Sequence, residues 1–545
     1  MIAPNAHADT SSATGPIGGA ALVRAAPYLV LVLVVCHAIV AWLMRTPGFG
    51  WGEDDSGYLL LGQQLRHFSY REVQDVLAPV HARFPPVFPA MLAVVGAVFG
   101  DQLDVLFSVV ALASAGSVFL LYSAARRVAG EELALLATLL YAINPSALAD
   151  GGTLMAEAPF KLFVMLALWA LTREDEGPRF AIIAGVATCL AALTRTAGVV
   201  FVPALVGYWL VNRQYRRALI FSVAALATVG LWIGFTFAAP DPDNRRLYIA
   251  DLGARGRRAQ ESVLHTTITR LLPRMRRYLT TGIPTVLSFP TIERVLIDNV
   301  VWLVSTVVFG VTGFVVLLRR WRGAAAFLLA YGLLLMVWRY ALDRFLHPIV
   351  PLLYFTLLLG AWWLGSAHAP RARPWLLATF VGLVAWGSLR TDARLFQRAM
   401  ACDRANPAGP STCWPIPERN YLRLANWVRD STPPDAIFFV SKERAFYMHA
   451  GRKSINQDRG LQEDSVSLGD FLRARGVSYA TVTPVGVRSG PHNRLVAAAC
   501  REFSLVRRFS EQTMLLRVRA PGESSATDDA CAALAVWSAP RQMRK

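Results

Sequence analysis

Three consecutive acids, Glu53, Asp54 and Asp55, follow the first long apolar run of this 545-residue chain, of which only 17% is charged. A carboxylate close to hydrocarbon is costly and is retained for a purpose, as a base, an ion-pair partner or a metal ligand. Asp54 and Asp55 also precede a short helical stretch, where N-capping and complementing the helix dipole would account for one of them. Three acids exceed what a cap needs. A second carboxylate, Glu157, stands at the end of a later apolar run, four residues before Lys161, its simplest ion-pair partner. Arg195 lies between two apolar runs, and Asp343-Arg344 leads into another, where the pair reads most simply as an internal ion pair. Arginine forks suit phosphate, so Arg195 and Arg344 could clamp one if their chain ends converge. His81 and Arg83 sit just before Pro85-Pro86; His81 is singled out only because imidazole titrates near neutrality.

The elements that must hold these groups are membrane helices. Apolar residues make up 54% of the chain, with 28 Phe and 15 Trp. Runs of about 20 apolar residues recur, each long enough to cross a bilayer core. Residues 26–44 read as a retained first span, being longer than a signal-peptide core and without a clear cleavage site. Ten more follow, at 105–125, 132–148, 158–171, 180–193, 198–211, 218–239, 297–318, 323–337, 345–365 and 374–389. The total is about eleven, and 87–99 is too short to count and reads as re-entrant or interfacial. A net charge of +18 would suggest nucleic acid in a soluble chain. Here arginines recur in every second loop (Arg126-Arg127, Arg173 and Arg179, Arg213 with Arg216-Arg217, Arg319-Arg320, Arg371 and Arg373), which makes those loops cytoplasmic.

That layout puts the acids, the approach to Glu157 and the C-terminal part outside the cytoplasm. The outer loops are then 45–104 and 240–295. The second of these breaks the charge rule, with arginines at 245, 246, 255, 257, 258, 270, 274, 276 and 277. Arg274 and Arg277 are candidate phosphate ligands, against looser contact with anionic head groups for most of the set.

Residues 1–25, rich in Ala, Ser and Gly, read as a disordered cytoplasmic tail. Residues 26–390 form the transmembrane part and 391–545 a small extracytoplasmic α/β domain of about 130 ordered residues. In it, 421–431 and 468–476 read as helices, and 436–440, 479–482 and 513–518 as strands. Four of the six cysteines, Cys402, Cys413, Cys500 and Cys531, fall here. A Cys402–Cys413 bridge and free thiols are equally open on spacing alone.

These residues, in this order, resemble the GT-C-fold glycosyltransferases that use polyprenyl-phosphate sugars, the superfamily of protein O-mannosyltransferases and lipid A aminoarabinose transferases. Asp54-Asp55-Ser56-Gly57-Tyr58 matches the family's Asp-Glu-x-x-Tyr motif, with Asp in the second acidic place, and brings in Tyr58. Pro85-Pro86 matches its proline pair, preceded here by Phe84 where members often carry Lys or His, so that His81 or Arg83 substitutes. Glu157-Ala158-Pro159, Leu193-Thr194-Arg195-Thr196-Ala197-Gly198 and Arg344-Phe345-Leu346-His347-Pro348 match three later motifs, the last bringing in His347.

The resemblance implies a polytopic α-helical membrane enzyme of the GT-C class that moves a sugar from a polyprenyl-phosphate donor to an extracytoplasmic acceptor on a protein, lipid or cell-envelope glycan. Asp54 would be the general base, Asp55 and Glu157 its acidic neighbours, and Arg195 and Arg344, with Arg274 and Arg277, the ligands of the lipid phosphate. Related oligosaccharyltransferases use a metal and the mannosyltransferases do not. No cofactor is assigned, and a divalent metal shared by Asp54 and Glu157 stays open. Multi-pass placement in a bacterial plasma membrane, N-terminus inside, is the expected location. A transporter or lipid flippase is the rival, disfavoured because the ionisable residues gather at one membrane face and no internal repeat is visible.

Overall fold

The computed structural model describes residues 20–45, 50, 54–238, 263–289, 296–338, 341–400, 414–456, 467–486, 489–523 and 529–538. Glu53, the arginines between 245 and 258, and the Cys402–Cys413 bridge therefore lie outside the described residues. Among the described residues, the apolar runs read from the sequence are helical, 132–148 being broken at Ile143-Asn144. Among the described residues, five helices are long and apolar enough to cross a membrane: Val23–Leu43, Leu103–Ala129, Tyr215–Ala238, Val300–Arg320 and Asp343–His368. A sixth is the pair Glu131–Ala142 and Pro145–Gly151, bent by 61°. Val87–Phe99, Pro178–Thr194, Thr196–Val211 and Arg322–Val337 are shorter apolar helices. The chain is a multi-pass membrane protein.

In chain order, the first α-helices among the described residues are α1 (Ala20–Leu43), α2 (Asp54–Leu65), α3 (Val87–Phe99), α4 (Leu103–Ala129), α5 (Glu131–Ala142), α6 (Pro145–Gly151), α7 (Glu157–Leu171) and α8 (Pro178–Thr194). Helices α4, α5, α7 and Val350–His368 make the centre, packing Val118, Leu121, Tyr141, Phe160, Leu168 and Phe355 away from lipid. A second, smaller cluster ties α2 and α3 to α4 through Tyr58, Phe84, Phe88, Leu92 and Phe107.

The α5–α6 bend has a local cause. Pro145 cannot continue a helix hydrogen-bond ladder but suits a first helical position. Asn144 caps the new helix, accepting from the Ala147 N–H at 3.0 Å. Its amide also donates to the Val286 carbonyl at 2.7 Å and the Tyr354 hydroxyl at 2.9 Å, which pins the bend to two other segments. The bend turns Asp150 back towards the start of α7.

The C-terminal domain is a five-stranded sheet flanked by helices. Its strands are β1 (Ile437–Phe439), β2 (Ser454–Ile455), β3 (Val477–Val482), β4 (Phe503–Ser510) and β5 (Thr513–Val518), in the order β2-β1-β3-β5-β4. β2, β1 and β3 are parallel, whereas β5 runs antiparallel to β3 and β4. Side chains alternate between faces along a strand. Phe439, Val482 and Leu516 pack under helices Leu468–Arg473, Ser489–Ala498 and Asp529–Ser538, while Phe438, Val440 and Leu515 meet Ile416–Ser431 and Glu443–Ala450. β2 and β4 go beyond the strands expected from the sequence. Of the cysteines in this domain, Cys500 and Cys531 are bonded, with Cα atoms 4.9 Å apart. The domain joins the first loop of the membrane part directly: the Ser454 N–H donates to the Gln74 carbonyl at 2.9 Å, and Asp75 bridges Ser454 in parallel, covering the β2 edge.

Candidate active site

Five segments converge on one cavity of about 320 Å³. The first turn of α2 contributes Asp54 and Tyr58, the turn before α3 contributes Arg83, Phe84 and Pro85, and the α8 exit contributes Arg195. Arg344 and Phe345 enter from the short helix Asp343–Ile349, and Tyr331, Leu334, Leu335 and Trp338 complete an apolar side.

Arg195 takes this place because α8 stops at Thr194 and Arg195 itself is extended, with φ −141° and ψ 136°. The turn that follows is tight. A Cβ at Gly198 would lie 2.7 Å from the Ala191 carbonyl oxygen and 2.8 Å from the Phe160 ring, so only glycine lets the chain pass. Arg344 is set by its neighbour: the Tyr331 hydroxyl donates to the Phe345 carbonyl at 3.0 Å.

The charges interlock. Glu157, buried at the first turn of α7, lies 2.5 Å from Arg195 Nη1 and 3.9 Å from Arg344 Nε. Arg344 Nη2 donates to Asp54 Oδ2 at 3.0 Å. Arg344 is thus the cation shared by the two carboxylates, so a divalent metal held by Asp54 and Glu157 together would have to displace its guanidinium. Among the described residues no group of three His, Cys, Asp or Glu side chains converges as a metal site.

Two pairings differ from the sequence expectation. Lys161 does not serve Glu157; its ammonium donates to Asp150 Oδ2 at 2.7 Å, and Asp150 also meets His347 Nδ1 at 2.9 Å. Glu157 and Lys161 are one turn apart on α7, yet α6 reaches Lys161 while the α8 exit reaches Glu157. Asp343 does not pair with Arg344 either. Adjacent residues on the short helix project apart, and Asp343 faces Arg277, 4.0 Å away and half exposed.

The remaining candidates fall around the cavity in different ways. Asp55 is buried behind Asp54, accepting from the Gly50 N–H at 2.8 Å and its neighbour Ser56 N–H at 2.7 Å; burial pushes its carboxyl above the usual range. Tyr58 lines the wall with its ring stacked on Phe84, centroids 4.6 Å apart, and burial raises its phenol. His81 is fully buried and does not line the cavity. Its Nε2 accepts from the Phe84 N–H at 2.8 Å, so Nδ1 carries the proton given to Glu72 at 2.8 Å, and burial lowers its basicity. Arg83, two residues on, does line it. Arg274 donates to the Met336 carbonyl away from the cavity, and His347 is held on Asp150. Tyr331, Asp150, Glu72 and Arg444 went unread in the sequence; a lone hydroxyl in the apolar run 323–337 was the available signal for Tyr331.

Arg83, Arg195 and Arg344 thus converge with Asp54 on one cavity, with Glu157 buried against the latter two arginines. Guanidinium forks suit a phosphate, and the apolar side offers a surface for a chain attached to one.

Comparison with known proteins bears on the fold. Residues 83–240 match the family model of dolichyl-phosphate-mannose-protein mannosyltransferases. No curated protein sequence matches the chain. Among solved structures, ArnT from Cupriavidus metallidurans superposes with a TM-score of 0.57 at 13% identity, covering 90% of this chain and 98% of that one. The same protein bound to undecaprenyl phosphate gives a TM-score of 0.54 at 14% identity, with the same 90% and 98% coverage. The archaeal oligosaccharyltransferase AglB from Archaeoglobus fulgidus, in complex with an inhibitory peptide and a dolichol-phosphate, gives 0.53 at 14% identity over 88% of this chain and 73% of that one. The chain has the GT-C fold, the fold of membrane glycosyltransferases that draw on polyprenyl-phosphate sugars.

Proposed function

We propose that this chain is a membrane glycosyltransferase that takes its sugar from a polyprenyl-phosphate donor and passes it to a hydroxyl or phosphate of an extracytoplasmic protein, lipid or glycan. The observation that carries the reading is the convergence of Arg83, Arg195 and Arg344 on one cavity with Asp54: guanidinium groups suited to a phosphate, with a base candidate at its edge and an apolar wall beside it.

The chemistry then runs as a single displacement. The acceptor oxygen attacks the anomeric carbon while Asp54 takes its proton. The bond from that carbon to the phosphate oxygen breaks, and the lipid phosphate leaves as an anion. Such a leaving group needs no proton, so cations suffice. Arg195 and Arg344, with Arg83, stabilise its charge. Arg344 holds Asp54 before the donor arrives; a phosphate that claims the guanidinium fork frees the carboxylate to act as base. Glu157 keeps both arginines aimed at the cavity and, on this reading, touches no substrate. A single displacement inverts the anomeric centre.

The test uses the purified full-length protein in detergent with a panel of radiolabelled polyprenyl-phosphate sugars and a membrane extract as acceptor source. Transfer from at least one donor, with the product of opposite anomeric configuration by NMR, is the expected result. Retained configuration would rule out the single displacement, and no transfer from any donor would overturn the reading.

A further inference from the structure

The cavity wall contains a contact that reaches into the other domain. Arg444, on helix Glu443–Ala450 of the C-terminal domain, is nearly buried with its Nη2 3.5 Å from Glu72 Oε1. Glu72 Oε1 accepts from His81 Nδ1 at 2.8 Å, and His81 Nε2 accepts from the Phe84 N–H at 2.8 Å. The other side of the same residue is held by Tyr70, whose hydroxyl donates to the Phe84 carbonyl at 2.8 Å. Both backbone groups of Phe84 are therefore fixed, one of them through a charge supplied by the soluble domain.

Arg444 also touches the wall directly. Its guanidinium lies 5.2 Å from the Phe84 ring centroid, and that ring stacks on Tyr58. A Cβ at Gly57 would stand 3.2 Å from Arg444 Nη1 and 3.0 Å from Phe84 Cε2. Gly57 thus leaves a slot on α2, three residues after Asp54, in which the arginine and the ring both fit.

We propose that Arg444 is a positioning residue: seated on Glu72 and in the Gly57 slot, it fixes His81 and Phe84-Pro85, and so sets the wall against which Asp54 and Tyr58 meet the substrate. The C-terminal domain then completes the active site without contributing a group that touches the reacting atoms. A buried ionic chain of this kind is sensitive to loss of one member, because the partner charge is left unpaired. Small displacements of a cavity wall are enough to affect rate.

The activity arm rests on the glycosyltransferase reading, so a second readout is independent of it. In the full-length protein, Arg444→Ala should speed hydrogen exchange of the Phe84 amide about tenfold, with exchange elsewhere in the C-terminal domain unchanged. Transfer should fall roughly 10- to 100-fold in kcat with KM for the donor unaltered. Arg444→Lys, which keeps the charge on Glu72 but not the flat group in the slot, should be intermediate in both. Glu72→Gln should match Arg444→Ala, and the double variant should be no worse than either, as expected for one coupled chain. Unchanged exchange at Phe84, additive losses, or faster exchange across the whole C-terminal domain would each overturn the proposal. If the unaltered protein transfers no sugar, the glycosyltransferase reading fails, while the Phe84 amide still decides the role of Arg444.

Discussion

Two carboxylate–cation clusters are built from the same two stretches of chain, yet they differ in what they can do. Asp150 with Lys161 and His347 joins α6, α7 and the short helix Asp343–Ile349, as Glu157 with Arg344 joins α7 to that same helix. In the first, the Lys161 side chain is 1% exposed and Asp150 9%. In the second, Arg344 is 42% exposed and Asp54 26%. The closed cluster is satisfied within itself and locks three segments together. The open one faces a cavity, where Arg344 is exposed enough to exchange a partner for a ligand. Ion pairs deep in the fold register the helices; ion pairs at its edge hold a site in readiness.

That contrast predicts opposite outcomes for substitutions of the same kind. Lys161→Met leaves Asp150 buried without its ammonium and should cost about 3–5 kcal/mol of stability. A large fall in melting temperature, with transfer per folded molecule little changed, is the expected reading; unchanged melting would break the comparison. Arg344→Lys keeps the charge but loses the fork that reaches Asp54 and, on the proposed reading, the donor phosphate. Transfer should fall roughly 10²- to 10³-fold, as for removal of one group that stabilises developing charge, with melting unaltered. A variant that loses stability instead would show Arg344 to be structural. The smallest effect belongs to Arg277→Ala. Its contact with Asp343 is long and half exposed, so a change below about 1 kcal/mol in stability is expected. A large loss of donor binding in that variant would instead extend the phosphate site to Arg277.

The sequence made the open cluster readable and the closed one not. Asp54, Glu157, Arg195 and Arg344 stand out because a charge beside an apolar run needs a reason; three of them line one cavity, and Glu157 holds the two arginines. Pairing is another matter, since it depends on which helix ends are brought together. Lys161 lies one turn after Glu157, the spacing of a helical ion pair. It nevertheless pairs with Asp150, because the break at Asn144-Pro145 folds α6 over α7. Asp343 and Arg344 are adjacent, and for that reason point apart. Cys500 and Cys531 meet because helices Ser489–Ala498 and Asp529–Ser538 pack side by side, which spacing could not reveal. His81 was marked for its titration range, whereas its two ring nitrogens hold the backbone of Phe84 and the carboxylate of Glu72. Tyr331 gave almost no signal, being one hydroxyl within an apolar helix. Charge out of place is legible in a membrane sequence; the partner of each charge is a property of topology.

The most direct test of the central claim is a single-turnover measurement with Asp54→Asn and a bound, radiolabelled polyprenyl-phosphate sugar. The substitution keeps the shape of the side chain, leaves the proposed phosphate ligands Arg195 and Arg344 in place, and removes the proposed proton acceptor. Donor binding should persist, while sugar transfer falls roughly 10²- to 10⁴-fold, the usual contribution of a general base. Transfer at the unaltered rate would contradict the assignment of Asp54 as the base.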